Sequence, residues 1–327
     1  MAKRTSYTFK LNDEQQAALV NHLSLGNYKP KQIPYTQIAA EAEHCTIALY
    51  TSGKCVVQGR GAEDWVTFIL EPQILQEVVT GYDDVLAPEA YKPHMGIDES
   101  GKGDFFGPIV IAAAYADRGL TEKLQELGVR DSKTISSDQK ALRMARQIRD
   151  LLGNRFSIVT IGPKAYNRLY LKMGNVNKML AWGHARAIEN LLDAVPDCPE
   201  AISDQFGPKR QIEQALLKKG GKIKLIQRPK AESDPAVAAA SILARAGFLY
   251  EMAKLAERLG LETMPKGASP QVRAAAENLV RTRGAKVMLE IAKCHFRTLD
   301  KVFEETGGSR AELGPEGQTV SKSRLEK

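Results

Sequence analysis

Apolar and polar positions alternate differently before and after about residue 90. TSYTFKL (5–11) alternates with the two-residue period of a half-buried strand, and Asn12 or Asp13 then stands where a cap would open an amphipathic helix through Leu23. CTIALYTSGKCVVQG (45–59) is two β-rich runs around Ser52-Gly53-Lys54, which predicts a hairpin. GAEDWVTFILEPQILQEVV (61–79) reads as a helical stretch interrupted at Pro72. GYDDVLAPEAYKP (81–93) mixes Gly, Pro and acids without a period. A small α+β unit over 1–82 and a linker over 83–93 follow from this pattern.

From His94 the apolar runs lengthen. HMGIDES and PIVIAAAYAD read as buried strands separated by a Gly-rich turn, and RFSIVTIG, EAISDQF and KIKLIQR as further strands. Ser136 or Ser137 caps a predicted helix through Leu152, and longer helical stretches cover 176–194, 235–259 and 270–293. Strands followed by mixed strands and helices predict an α/β domain over 94–306, a mixed central sheet flanked by helices. The polar, Gly-containing segment 307–327 is expected to be a disordered tail.

Length agrees with this division: 327 residues correspond to roughly two domains at about 150 residues each. The longest apolar run, IVIAAAYA at 109–116, is strand-sized, and the N-terminus lacks the apolar core of a secretory signal. A cytoplasmic protein with no membrane contact is the expectation. Cys45, Cys55, Cys198 and Cys294 show no CxxC spacing and are expected to be free thiols. The net charge of +7 is unevenly spread. Residues 61–90 hold seven acids and no base, whereas residues 91–327 hold 39 basic against 28 acidic residues. The long second part therefore suits a polyanionic partner.

Its acids suggest what is done to that partner. In GIDESGKGDFFGPIVIAAAY (96–115), Asp98 and Glu99 stand where a strand meets a Gly-rich turn. Adjacent strand residues face opposite ways, so both meet one site only if the backbone turns there. A phosphate-loop reading of Gly96-xxxx-Gly101-Lys102 fails, because Gly103 occupies the place of the metal-binding Ser or Thr. Hard cations such as Mg²⁺ suit oxygen ligands of this kind. Asp204 ends another apolar strand, and Glu232 and Asp234 precede the helix that begins near Pro235. Three such segments can converge on two divalent ions for phosphodiester hydrolysis. Spacing alone leaves Asp204 open as a turn residue and Asp234 as a helix cap with Pro235 at the first helical position.

GIDESGKGDFFGPIV, DSK at 131–133, NVNKMLAWGHARAIENLL at 175–192, KAES followed by VAAASILAR, PKGAS at 265–269 and KCHFRTLDKV at 293–302 occur in that order. Together they resemble bacterial ribonuclease HIII, a type 2 ribonuclease H related to ribonuclease HII. The first ninety residues, with LYTSGKCVVQG at 49–59, resemble that family's TATA-binding-protein-like substrate-binding domain, which ribonuclease HII lacks. The resemblance implies a ribonuclease H-like fold and two Mg²⁺ or Mn²⁺ ions per site. It also implies a monomer that cuts the RNA strand of RNA/DNA hybrids, leaving 5′-phosphate and 3′-hydroxyl ends.

By motif, Asp98, Glu99 and Asp204 match the family's first three acids. The KA[DE]S alignment selects Glu232 as the fourth, with Asp234 the alternative because this chain is about one residue shorter before AAAS. Gly101, Lys102 and Gly103 match the turn whose backbone approaches the 2′-hydroxyls of RNA. Ser132 and Lys133 match a phosphate-contacting motif, and Tyr166, Asn167 and the stretch from Lys266 to Ser269 are expected to line the groove. Met179 and Trp182 read as core, and His184 and His295 lack a metal-ligand partner four residues on. Two rivals remain at this point: cleavage at single ribonucleotides in duplex DNA, and non-catalytic hybrid binding.

Overall fold

The alternating strand at the N-terminus opens a five-stranded antiparallel sheet. The computed structural model describes residues 5–75, 88–129, 135, 137–205, 207–216, 220–229 and 231–320. Two compact units, Met1–Glu89 and Ala90–Lys327, divide the chain. In the first, β1 (Ser6–Lys10) leads to α1 (Asp13–Leu25), then β2 (Lys29–Pro30), β3 (Thr36–Ala42), β4 (Cys45–Tyr50) and β5 (Lys54–Gly59). Sheet order is β1-β5-β4-β3-β2. Asn12 is the cap: its side chain accepts from Gln15 N at 2.8 Å, while the Gln15 side chain accepts from Asn12 N. Gly53, at φ +76°, makes the β4–β5 turn.

A short α2 (Ala62–Trp65) continues as a π-helix, Val66–Leu75, that runs through Pro72. The predicted interruption does not occur. Val66, Leu70 and Ile74 are buried with Leu19, Ile47 and Leu49, and that packing keeps the segment wound past its missing donor. Residues 83–87 of the predicted linker lie outside the described residues. Its end is pinned, because Ala90 O accepts from Thr121 Oγ1 at 2.9 Å and Tyr91 bonds Gln125 at 3.0 Å.

The second unit is built on β6 (His94–Ser100), β7 (Ile109–Ala116), β8 (Phe156–Ile161), β9 (Glu200–Asp204) and β10 (Lys224–Arg228). They lie in the order β10-β9-β6-β7-β8, with β10, β9 and β6 parallel and β7 and β8 antiparallel. Helices cover both faces. These are α3 (Arg118–Glu126), α4 (Asp138–Leu152), α5 (Pro163–Met173), α6 (Val176–Leu192), α7 (Lys209–Ala215), α8 (Pro235–Leu259), α9 (Pro270–Arg283), α10 (Val287–Ile291) and α11 (Thr298–Thr306). The continuous apolar run of β7 serves both layers. Val110, Ala112 and Ala114 pack in the core with α8, whereas Ile109, Ile111 and Ala113 pack in the core with α6.

Helix α8 is long and apolar enough to cross a membrane by length and composition. Its alanine-rich surface instead packs in the core: Ala236, Ala238, Ala239, Ala240, Leu243 and Ala244 are all fully buried. Contact with β6 is so close that a Cβ at Gly96 would lie 2.1 Å from Val237 N.

The expectation of a disordered tail is corrected for residues 307–320. A 3₁₀ turn at Arg310–Leu313 and α12 (Pro315–Gln318) are formed there, and Leu313 is buried. Arg310 organises the segment by donating to Cys294 O at 2.7 Å, Gly317 O at 2.8 Å and Phe296 O at 3.1 Å. One half-buried guanidinium supplies the order that the polar composition hides. Residues 321–327 lie outside the described set. All four cysteines are free and buried, and burial pushes the Cys55 thiol up to about 12.

Candidate active site

Parallel pairing brings the acids together. Ile97 pairs with Ser203, so the next residues, Asp98 and Asp204, stand side by side at the carboxyl ends of β6 and β9, on strands about 4.8 Å apart. Strand alternation then sets their faces. Met95 and Ile97 enter the α6-side core, which leaves Asp98 on the α8 side; Ile202 packs with Val237 of α8, which puts Asp204 there too. Asp98 is hydrogen-bonded to Ser241 of α8 and accepts from Glu99 N at 2.8 Å. Burial pushes its carboxyl up to about 6, with the Glu99 charge adding and the Ser241 bond opposing.

Glu99 points the other way, because β6 stays extended through Ser100 instead of turning between the two acids. His184 Nε2 of α6 lies 3.0 Å from Glu99 Oε2, and Lys102 Nζ lies 3.8 Å from Oε1. Burial alone would raise the Glu99 carboxyl, but the His184 bond and charge, together with Lys102, hold it below the usual range.

The two candidates for the fourth acid occupy different environments. Asp234 is buried and saturated. Its Oδ1 accepts from Ala236 N at 2.9 Å, Val237 N at 3.2 Å and His94 Nε2 at 3.0 Å, and its Oδ2 lies 3.3 Å from Arg228 Nη2. It caps α8, as one reading of its position before Pro235 allowed. Burial would lower the His94 imidazole, yet the Asp234 bond and charge raise it overall. Glu232 lies half-buried in the 3₁₀ turn Ala231–Ser233, next to the backbone that donates from Ala231 N to Asp204 Oδ1 at 3.4 Å. Among the described residues no three His, Cys, Asp or Glu side chains are gathered closely enough to hold an ion as they stand. The donors nearest the site are nonetheless all carboxylate oxygens, the set that hard divalent cations take alongside waters and substrate phosphate.

Beside the acids, the chain from Gly101 to Gly107 forms a fixed turn. Gly101 has φ +91°, and a Cβ there would meet Pro108 O at 2.3 Å. Gly103, by contrast, faces open space. Asp104 Oδ1 accepts from Gly267 N at 2.6 Å, and Phe105 N donates back to Gly267 O at 2.8 Å, which ties the turn to the PKGAS loop. Lys266 pairs with Asp138, which also binds Arg245 at 2.9 Å.

Two expected groove residues are corrected. Tyr166 is fully buried, with its ring stacked 6.1 Å from Tyr170. Asn167 is buried too: its Nδ2 donates to Ala292 O at 3.0 Å, and its Oδ1 accepts from Cys294 N at 2.9 Å. Both fall on the inner face of α5, where packing and backbone bonds occupy them. Ser132 and Lys133 lie outside the described residues. Sequence reasoning missed the contacts of His184, Ser241 and Lys293. Lys293 is buried and donates to Asp104 O, Phe106 O and Gly107 O, and desolvation pulls its amine down to about 7.

A family model described as Ribonuclease HII matches residues 95–299, and one described as a domain of unknown function (DUF3378) matches residues 7–77. With the mixed sheet and its edge of acids, these matches define the class, a type 2 ribonuclease H. Ribonuclease HIII of Protochlamydia amoebophila is 42% identical over 273 residues, 84% of this chain and 88% of the relative. Ribonuclease HIII of Chlamydia pneumoniae is 40% identical over 298 residues, 90% and 97% of the two chains. A crystal structure of Bst-RNase HIII in complex with Mn²⁺ matches with a TM-score of 0.65 at 30% identity, covering 92% of this chain and 99% of that one. The chain belongs to the ribonuclease HIII family.

Proposed function

We infer that this protein is an endoribonuclease that hydrolyses the RNA strand of RNA/DNA hybrids, using Mg²⁺ or Mn²⁺ and leaving 5′-phosphate and 3′-hydroxyl ends. The observation that carries the reading is the register that sets Asp98 beside Asp204 on one face of the sheet edge, next to a preformed glycine turn. Asp98, Asp204 and Glu232 would hold the two ions on the α8 side, and Glu99, which faces His184 across the strand, would join them only by turning its carboxylate away from that partner. When bound, such ions supply a water of lowered pKa and positive charge opposite the departing 3′-oxygen. Asp234 belongs to the scaffold in this assignment, because its hydrogen bonds are committed to α8, His94 and Arg228.

The protein groups divide the remaining work. His184 and Ser241 orient Glu99 and Asp98 respectively. The open backbone at Gly103, with Gly101, meets the ribose 2′-hydroxyls, and Lys102 reaches a neighbouring phosphate. The N-terminal unit grips the duplex through the sheet face that its helices leave uncovered. Thr8, Lys10, Lys54 and Gln58 are exposed there, while Tyr7, Cys55 and Val57 face the core. The enzyme works as a monomer in the cytoplasm without membrane contact.

Incubation of the purified chain with a continuous RNA/DNA hybrid and with a duplex holding one ribonucleotide, in Mg²⁺, Mn²⁺ or chelator, tests the reading. Metal-dependent cutting of the hybrid is expected to exceed cutting at the lone ribonucleotide. The reverse preference would assign the single-ribonucleotide activity instead.

A further inference from the structure

The motif KCHFRTLDKV begins with a residue whose place in the fold has no role in the chemistry described so far. Lys293 is 0% exposed. Its Nζ donates to Asp104 O at 2.8 Å, Phe106 O at 3.2 Å and Gly107 O at 2.8 Å, three carbonyls of the turn beside the acids. Three convergent carbonyl oxygens match the three N–H groups of an ammonium. A buried lysine is costly, so one set against backbone carbonyls, with no carboxylate on its Nζ among the described hydrogen bonds and ion pairs, needs a reason in the turn itself. The surroundings hold it from both sides. Lys293 N donates to Phe105 O at 2.9 Å, Gly107 N donates to Ile291 O at 2.9 Å, and Asn167 of α5 bridges Ala292 O and Cys294 N. The inner side of the turn is therefore bound at nearly every polar atom, whereas on its outer side a Cβ added at Gly103 would meet nothing within 4 Å.

We propose that Lys293 is a positioning residue that fixes the Gly101–Gly107 turn, so that its exposed backbone stands ready to receive the ribose of the RNA strand beside the Asp98–Asp204 pair. This rests on reading that turn as the ribose contact. Asn167 serves the same end one step further back, by fixing the segment that carries Lys293. Without the ammonium, three carbonyls lose their donor and the turn relaxes. The duplex still binds, because the N-terminal sheet is untouched, but the scissile phosphate is no longer aligned with the acids.

The test is Lys293→Met in the full-length, Mg²⁺-loaded protein, assayed on a continuous RNA/DNA hybrid beside wild type. Expected is a fall in kcat of at least about 10-fold with KM changed less than about 3-fold, and amide exchange accelerated at residues 101–107 relative to the rest of the sheet. A folded variant with kcat within 2-fold of wild type, or with unchanged exchange at the turn, would overturn the proposal. Should the variant not fold, wild-type exchange decides. The amides of Phe105 and Gly107 are expected to open together with those of Lys293 and Cys294, and turn amides that exchange independently of that segment sink the idea. Failure of wild type itself to cut the hybrid would count against the functional assignment, not against the clamp.

Discussion

Glu232 and Asp234 are separated by one residue and by two physical roles. Asp234 is a buried cap with a histidine and an arginine on its oxygens, so Asp234→Ala should lower stability by about 3 kcal/mol. Glu232→Gln should change stability by less than about 0.5 kcal/mol yet reduce hybrid cleavage more than about 100-fold. Denaturant titration and a cleavage assay on both variants check the pair, and the opposite pattern would exchange the two roles. His295 supplies the pH dependence at this scale. Burial first, then the Lys293 and Arg310 charges, hold its imidazole down to about 3, with its ring stacked 4.4 Å from Tyr170. The unfolded chain therefore binds this proton near pH 6.5 while the folded chain does not. Stability is fully present above about 6.5 and is lost as pH falls towards 3, by on the order of 5 kcal/mol from this one group. His295→Phe should flatten the acid limb of a plot of Tm against pH; an unchanged limb would refute the assignment. The places of Asp98 and Asp204 near strand ends were legible in the sequence because an apolar run closing on an acid leaves a local pattern, whereas the turn expected between Asp98 and Glu99 does not occur. His184, Asn167 and Lys293 left none. Each is a single polar residue whose partner is distant in the chain, as Lys293 and Asp104 are by 189 residues.

At the scale of elements, legibility followed the same rule. The strands of the second unit were readable from their runs of Val, Ile and Ala, and α1 and α4 from capping residues that the structure uses, Asn12 and Ser137. Helices α3, α5, α7 and α11 went unread because each is short, at 7 to 11 residues, and lies within mixed polar sequence. The disordered reading of the tail failed at residues 307–320 for a related reason, since Arg310 orders them through carbonyls that no local period announces. Gly96 shows what the sequence pattern could not supply, a crossing so close that any side chain meets the α8 backbone. Gly96→Ala should therefore destabilise the protein by about 3 kcal/mol and displace Asp234, Val237 and Ser241 together. Thermal unfolding checks this, and a Tm within 1 °C of wild type would contradict the close crossing.

For the whole molecule, the uneven charge acquires a division of labour. The first sixty residues hold seven bases against four acids, and three of those bases, Lys10, Lys29 and Lys54, are exposed on strands of the N-terminal sheet. Deleting residues 1–85 should weaken hybrid affinity at least about 10-fold and flatten its salt dependence by roughly 0.9 in log–log slope per lost phosphate contact. Unchanged affinity or slope would remove the grip from the N-terminal unit. The Asp98–Asp204 edge is proposed as the place where RNA is cut. The most direct measurement is Mg²⁺-dependent cleavage of a continuous RNA/DNA hybrid by wild type and by Asp204→Asn, with hybrid binding followed in parallel without metal. Expected are cutting of the RNA strand by wild type, loss of more than about 100-fold in the variant, and hybrid affinity within about 3-fold of wild type. Substantial cleavage by Asp204→Asn would contradict that placement.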